Sequence, residues 1–120
     1  MKLTAIIRSW MGVYYSIPKD PVPGKGNGIM TQSASIAEAK QNFKKVMHGD
    51  DAEYEFLYDL SCLRCFFEMV DLEIFASMAG IPYPELRDFI SGERFASNSQ
   101  RIRVIHTLQK IGLRLAEARY

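Results

Sequence analysis

Residues 72–94 read LEIFASMAGIPYPELRDFISGER, and this stretch decides the fold that the sequence predicts. Ala76 is small, which leaves room for a second helix to cross the first. Gly80 ends the first helix, because glycine adopts the left-handed cap conformation without strain. Ile81 fills the corner between the helices, and Leu86 holds the second helix against the core. The pattern predicts a helix-turn-helix.

The N-terminal segment predicts β structure. Residues 2–17 are rich in β-branched and aromatic side chains that partly alternate, which favours a strand or a hairpin with its turn near Gly12. Residues 18–28 contain three prolines and three glycines, a composition typical of a loop or flexible linker.

Two helices are predicted between the linker and the helix-turn-helix. Ser35 and Glu38 form a capping box, and the helix that follows ends at Gly49. From about Asp50 to Val70 the apolar residues recur at spacings of three and four, which predicts one long helix or two shorter ones.

The C-terminal part predicts a further helix. Asp71 is the expected N-cap of the first helix of the motif, and residues 97–100 form a second capping box. The apolar stripe from Ile102 onwards marks a last helix that Gly112 is expected to end, and residues 113–115 are expected to be extended.

Together these elements predict a mainly α fold, a helix-turn-helix helical domain with an N-terminal β-strand or hairpin arm. The arm and its flexible linker cover residues 1–29, and the helical domain covers 30–120 with the helix-turn-helix at 72–91. The sequence has no membrane-length apolar run and no signal-peptide pattern, so a cytoplasmic protein is expected.

The charges are strongly segregated. Residues 1–49 carry seven Lys or Arg against two Asp or Glu, residues 50–93 carry two against eleven, and residues 94–120 carry six against one. The basic ends could neutralise DNA phosphates, and the acidic middle could not. Attraction between oppositely charged parts of the same protein explains the pattern equally well.

The sequence indicates neither an enzyme nor a metal protein. Cys62 and Cys65 would supply two of the four ligands of a zinc site, but the sequence has no second pair of ligands nearby. Reduced core cysteines are the simpler interpretation. The glycines of residues 24–28 lack the strand, helix and Lys-Ser/Thr ending of a phosphate-binding loop. No catalytic residues, metal or cofactor are therefore expected.

The stretch from about Leu57 to Leu115 resembles the lambda-repressor-like (Xre/Cro) helix-turn-helix family, and most closely its addiction-module antidote regulators. The residues that carry this resemblance are Ala76, Gly80, Ile81, Leu86, Ser91-Gly92-Glu93 and Gly112-Leu113-Arg114-Leu115. The chain departs from the family at Pro82, where a Ser or Thr cap is usual. It also departs in the net negative charge of the second helix.

The resemblance implies a recognition helix over residues 82–90 that enters the DNA major groove. Its exposed residues would be Tyr83, Glu85, Arg87 and Asp88, and the phosphate contacts would come from Arg94, Ser97, Asn98 and Arg101. Arg87 could read guanine, and Glu85 could accept from cytosine. Alternatively, Arg87 pairs with an acidic neighbour and Tyr83 packs at an interface.

Two functions follow from these observations. The first is a sequence-specific transcriptional regulator, a repressor or antitoxin-like protein that binds double-stranded DNA as a homodimer. The second is a protein-interaction module on the same scaffold. Its acidic face, within residues 50–73, would bind and inhibit or adapt a basic partner, such as a toxin or another regulator.

Overall fold

The computed structural model describes residues 2–20, 30–47 and 53–119, which form a four-stranded mixed sheet and five helices. The strands are β1 (Lys2–Trp10), β2 (Val13–Pro18), β3 (Thr31–Ser33) and β4 (Glu53–Tyr58). The helices are α1 (Ile36–Met47), α2 (Arg64–Phe67), α3 (Leu72–Ala79), α4 (Tyr83–Ser91) and α5 (Asn98–Glu117), and a 3₁₀ turn covers Leu60–Leu63. The protein is therefore an α+β fold, and the prediction of a mainly α fold with a β arm is wrong.

The sheet has the strand order β3-β2-β1-β4. β1 and β2 form an antiparallel hairpin, and β3 pairs antiparallel with β2. The hairpin turn contains Met11 and Gly12, both with positive φ, as a two-residue type I′ connection requires. The predicted turn near Gly12 is confirmed. Of the predicted linker, residues 21–29 lie outside the described part of the chain.

Strand β4 replaces the first part of the helical segment predicted between residues 50 and 70, so that prediction is wrong for residues 53–58, whereas residues 60–67 are helical. β4 pairs in parallel with β1, which sets Tyr54, Phe56 and Tyr58 beside alternate residues of β1. These three aromatic residues repeat with a period of two and share one face of the sheet. The helical spacing was also present in the sequence, but pairing with β1 decides the conformation. Residues 48–52 lie outside the described residues.

Helix α1 packs on the aromatic face of the sheet. Phe43 is fully buried, and its ring meets those of Tyr54 and Phe56 edge-on at centroid distances of 6.2 and 6.1 Å. At the start of the helix the Ser35 hydroxyl accepts from the amide of Glu38 at 3.2 Å. The serine half of the predicted capping box is confirmed.

The sheet and the C-terminal helices share one core. Its most deeply buried side chains in the helical part include Phe75, Leu86, Phe89 and Val104. Tyr58, the last residue of β4, exchanges two backbone hydrogen bonds of 2.8 Å with Ala96, just before α5. The N-terminal strands are therefore joined to the helices and are not a separate arm.

Helix α5 begins as predicted and ends later. Ser97 and Gln100 form the complete capping box, with bonds of 3.2 and 2.9 Å. The helix then passes through Gly112 and ends at Glu117, so the predicted stop and the extended segment after it are wrong. A glycine inside a helix costs about 1 kcal/mol, which weakens a helix without ending it.

Candidate nucleic-acid interface

The turn between α3 and α4 has the predicted geometry. Gly80 is left-handed, with φ 68° and ψ 34°, and the amide of Ile81 donates to the carbonyl of Ala76 at 3.0 Å. Ala76 and Ile81 are both buried. At the start of α3 the carboxylate of Asp71 accepts from the amide of Ile74 at 3.1 Å, which confirms the predicted N-cap. A left-handed residue at this position lets the amides that follow the helix donate to its last carbonyl groups, and the chain then turns sharply into α4.

Helix α4 buries one side and exposes the other. Leu86 and Phe89 have no exposed surface, whereas Arg87 is exposed and Tyr83 is half-buried. The guanidinium carbon of Arg87 lies 5.7 Å from the centre of the Tyr83 ring, a cation–π contact between residues one helical turn apart. Tyr83 therefore supports Arg87 on the outer face of the helix.

The acidic residues of α4 are paired with neighbours. Glu85 accepts from the side-chain amide of Gln100 at 2.7 Å and lies 3.6 Å from Arg94. The other arm of the Arg94 guanidinium lies 3.7 Å from Asp88. Arg94 thus offsets the negative charge of both carboxylates. Because the Glu85 carboxylate is already bonded to Gln100, it is not free to accept a hydrogen bond from cytosine.

The residues at the start of α5 are also engaged. The Ser97 hydroxyl caps the helix, and the Asn98 side chain accepts from Arg101 at 2.8 Å. The guanidinium of Arg101 lies over the ring of Tyr58, with 4.7 Å from its carbon to the ring centre. Arg101 is half-buried against the end of the sheet, and this position differs from the exposed phosphate contact that the resemblance implies.

Contacts link seven of the eight predicted residues into small groups. Tyr83 contacts Arg87, Arg94 bridges Glu85 and Asp88, and Asn98 contacts Arg101. The eighth, Ser97, is linked to Glu85 through Gln100, which bonds to both.

Sequence reasoning missed two residues of this region. The sequence predicts Gln100 as part of a capping box, but its bond to Glu85 joins residues of two different helices that lie 15 positions apart in the chain. Arg103 was not singled out, and its side chain donates to the carbonyl of Gly80 at 3.4 Å. Neither contact has a signature in the local sequence, because both depend on how α5 packs against α3 and α4.

The start of α4 has no side-chain cap. Pro82 holds the N-cap position and makes no capping hydrogen bond, and Pro84 lies within the first turn. Proline suits this turn because its missing amide would have no partner inside the helix. The remaining first-turn amides have no side-chain cap, and a helix N-terminus of this kind favours an anion such as a phosphate.

Within residues 53–73, the acidic residues expected to bind a basic partner do not form one helical face. Lys2 lies 2.7 Å from Glu55, and this hydrogen-bonded ion pair raises the pKa of Lys2. Asp59 is buried and pairs with Arg8 at 2.8 Å. Two of the eleven acidic residues in the middle of the chain are therefore paired with basic residues of β1.

Metal-ligating residues do not cluster in the part of the chain that the structure describes. Cys62 and Cys65 are free thiols, and Cys62 is half-buried. The Cys62 thiol donates to the carbonyl of Asp59 at 3.1 Å, and burial raises its pKa. Cys65 is exposed, so the prediction of two core cysteines is wrong for this residue.

The fold defines an α+β protein with a helix-turn-helix in its helical part. Comparisons with family models, curated proteins and solved structures give no match. Across residues 2–20, 30–47 and 53–119, none of the helices combines the length and apolar character that crossing a bilayer requires.

Proposed function

We propose that this protein is a sequence-specific DNA-binding regulator, of the repressor or antitoxin-like kind, that acts as a homodimer in the cytoplasm. The observation that carries the proposal is the bend at Gly80. The bend packs α4 on the core through Leu86 and Phe89 and leaves Arg87 exposed. A short helix presented in this way is the element that helix-turn-helix proteins place in the major groove.

Arg87 is the proposed base-reading residue. Its guanidinium has the donor geometry for O6 and N7 of guanine, and the ring of Tyr83 restricts its motion. Glu85 and Asp88 share Arg94, which reduces the repulsion between an acidic helix and the phosphates. Glu85 therefore has a positioning role in this proposal, and a cytosine contact is not part of it.

The proposed phosphate contacts come from groups beside α4. They are the uncapped first turn of α4, the exposed Asn98 and the part of Arg94 that stays exposed. Contacts of this kind position a protein on DNA and add affinity without reading sequence. Arg101 is not included, because its guanidinium lies over Tyr58.

The proposed dimer forms through the end of α5. Met78 of α3 and three apolar residues of this helix, Ile111, Leu113 and Leu115, line a groove together with the charged residues Lys110, Arg114 and Glu117. Leu113 and Leu115 are 65% and 69% exposed, and exposed apolar residues that lie together are typical of interaction sites. In an antiparallel pairing centred between residues 113 and 114, Lys110 of one copy lies opposite Glu117 of the other. Self-complementary charge of this kind suits a two-fold interface.

DNA binding is tested by fluorescence anisotropy on DNA from upstream of the protein's own coding sequence, with a scrambled duplex for comparison. The wild type is expected to bind the upstream DNA at least roughly a hundredfold more tightly than the scrambled duplex at physiological salt. Arg87→Ala should remove most of this preference. Lys19→Ala, an equal loss of charge at an exposed position just after β2, should leave it unchanged. Failure of the wild type to bind any upstream fragment at low salt would refute the proposal.

The interaction-module alternative has less support. It rests on an acidic helical face, whereas the described acidic residues of this segment lie on β4, in the turns after it and at the start of α3, with Glu55 and Asp59 in ion pairs. Co-purification with a stoichiometric basic protein, together with no DNA binding, would favour this alternative.

A further inference from the structure

A cleft of about 170 Å³ lies between the sheet and α5, away from the proposed DNA-reading face of α4. Its apolar walls come from β1, β2, the first turn of α1, the 3₁₀ turn and α5. They are formed by Ile7, Tyr14, Ile36, Leu60, Leu63 and Ile105. The neighbouring elements thus border an open cleft that the core does not fill.

Two residues that line the cleft carry buried polar atoms without a partner among the described residues. Tyr58 is 3% exposed, and its hydroxyl makes no hydrogen bond to them. Nε of Arg101 is also buried and unpaired, although the guanidinium lies over the Tyr58 ring. Buried donors in native proteins almost always have a hydrogen-bond acceptor. The Tyr58 hydroxyl and Nε of Arg101 therefore need an acceptor that the described residues do not supply.

The charge around the cleft favours an anion as that acceptor. Arg8 pairs with Asp59 at 2.8 Å, and Asp59 also accepts from the hydroxyl and the amide of Ser61. Burial raises the pKa of the Cys62 thiol, which therefore stays neutral at neutral pH. Of the three charged residues that line the cleft, Arg8 and Asp59 pair with each other, and Arg101 has no acidic partner among the described residues.

The cleft has room for about one ring of a ligand. A dry apolar cavity of about 150 Å³ is large enough to bind benzene. The walls of this cleft are largely aromatic and aliphatic, and its two unpaired donors belong to Tyr58 and Arg101, whose guanidinium carbon lies 4.7 Å from the centre of the Tyr58 ring. We propose that the cleft binds a small aromatic carboxylate, with its ring against the apolar walls and its carboxylate accepting hydrogen bonds from Arg101 and Tyr58. This site does not depend on DNA binding.

The site is tested with benzoate as the probe, by titration of the full-length protein monitored by NMR. Benzoate is expected to bind saturably with a dissociation constant of roughly 1 mM, a reasonable affinity for so small a ligand. Benzamide has the same shape without the charge, and acetate has the charge without the ring. Each should bind at least roughly tenfold more weakly. Equal binding of benzoate and benzamide, or no saturable binding of benzoate, would overturn the proposal.

Two arginine substitutions test whether benzoate binds in this cleft. Arg101→Gln should weaken benzoate binding roughly tenfold, and Arg119→Gln, the same change at an exposed position after the end of α5, should have no effect. Equal effects of the two variants would count against the site.

Tyr58→Phe provides a second test that does not depend on Arg101. It should weaken benzoate binding severalfold and leave the melting temperature of the free protein unchanged or higher, because it removes an unpaired buried hydroxyl. A lower melting temperature with unchanged benzoate affinity would show that the hydroxyl has a structural partner, and would contradict the proposal.

Discussion

Arg87 and Gly80 show how single residues link this sequence to its proposed function. Gly80 has the left-handed conformation that directs α4 across α3, and Arg87 lies on the side of α4 that faces away from the core. Both positions follow from the spacing of residues 72–94. The partners of Arg94 do not, because an arginine can reach several acidic residues and only the packed structure decides between them.

Replacing Gly80 by alanine tests the turn at the residue scale. An alanine Cβ would meet no atom within 4 Å, so the cost is conformational: φ is +68°, a region that L residues rarely adopt. The Gly80→Ala variant is expected to lose about 1 kcal/mol of unfolding free energy. Urea denaturation measures this change, and a variant as stable as the wild type would show that the turn is not left-handed.

Cys62 provides a second test at this scale. Burial raises the pKa of its thiol, so less of the reactive thiolate is present at a given pH. In a Cys65→Ser background, alkylation by iodoacetamide at about pH 8, near the ordinary thiol pKa of roughly 8.5, should be slow in the folded protein and fast in urea. The rate should rise at a higher pH than it does for the unfolded chain. Coinciding pH profiles would contradict the assigned burial.

At the scale of elements, the sequence predicts the helices better than the sheet. Local signals mark α3, α4 and the start of α5: a left-handed glycine, an N-cap and a capping box. Strand β4 has no local signal of this quality, because its aromatic residues fit both a period of two and a helical stripe. Its conformation depends on pairing with β1, about 50 residues earlier in the chain, and a local pattern contains no information about that contact.

In the candidate site, too, local features could be predicted and contacts between distant elements could not. The turn and the exposed face of α4 could be predicted, because they depend on neighbouring residues. The bonds of Gln100 to Glu85 and of Arg101 to Tyr58 could not, because they join separate elements. The position of Arg101 in particular depends on β4, the element that the sequence did not reveal.

The length of α5 can be tested by replacing Gly112 with alanine. Gly112 lies inside the helix, and an added Cβ would meet no atom within 4 Å. Gly112→Ala should therefore stabilise the protein by about 0.5–1 kcal/mol, since alanine is the better helix former. This is the opposite sign to Gly80→Ala, so the pair can be compared in the same urea experiment. A destabilised Gly112→Ala would indicate that the helix ends at this residue.

On the scale of the whole molecule, the proposed dimer joins two reading helices. Two copies related by a two-fold axis would place their α4 helices on successive half-sites of a palindrome. Leu113→Asp should weaken self-association by at least roughly tenfold, because it puts a charge into an apolar contact. Analytical ultracentrifugation measures the change.

The matched control for the dimer is Met11→Asp, at an exposed apolar residue of the hairpin turn. This variant should associate like the wild type. A dimer that survives Leu113→Asp and dissociates with Met11→Asp would place the interface on the sheet instead.

The most direct test of the central claim is a base-substitution series across the bound DNA site, measured with the wild type and with Arg87→Ala. If α4 reads the major groove through Arg87, the wild type should lose about 1–3 kcal/mol of binding free energy when the contacted guanine is changed in either half-site. The variant should bind the original and changed sites equally at that position and keep its discrimination elsewhere. A variant with the same base preferences as the wild type at every position would contradict the proposal that α4 is the recognition helix.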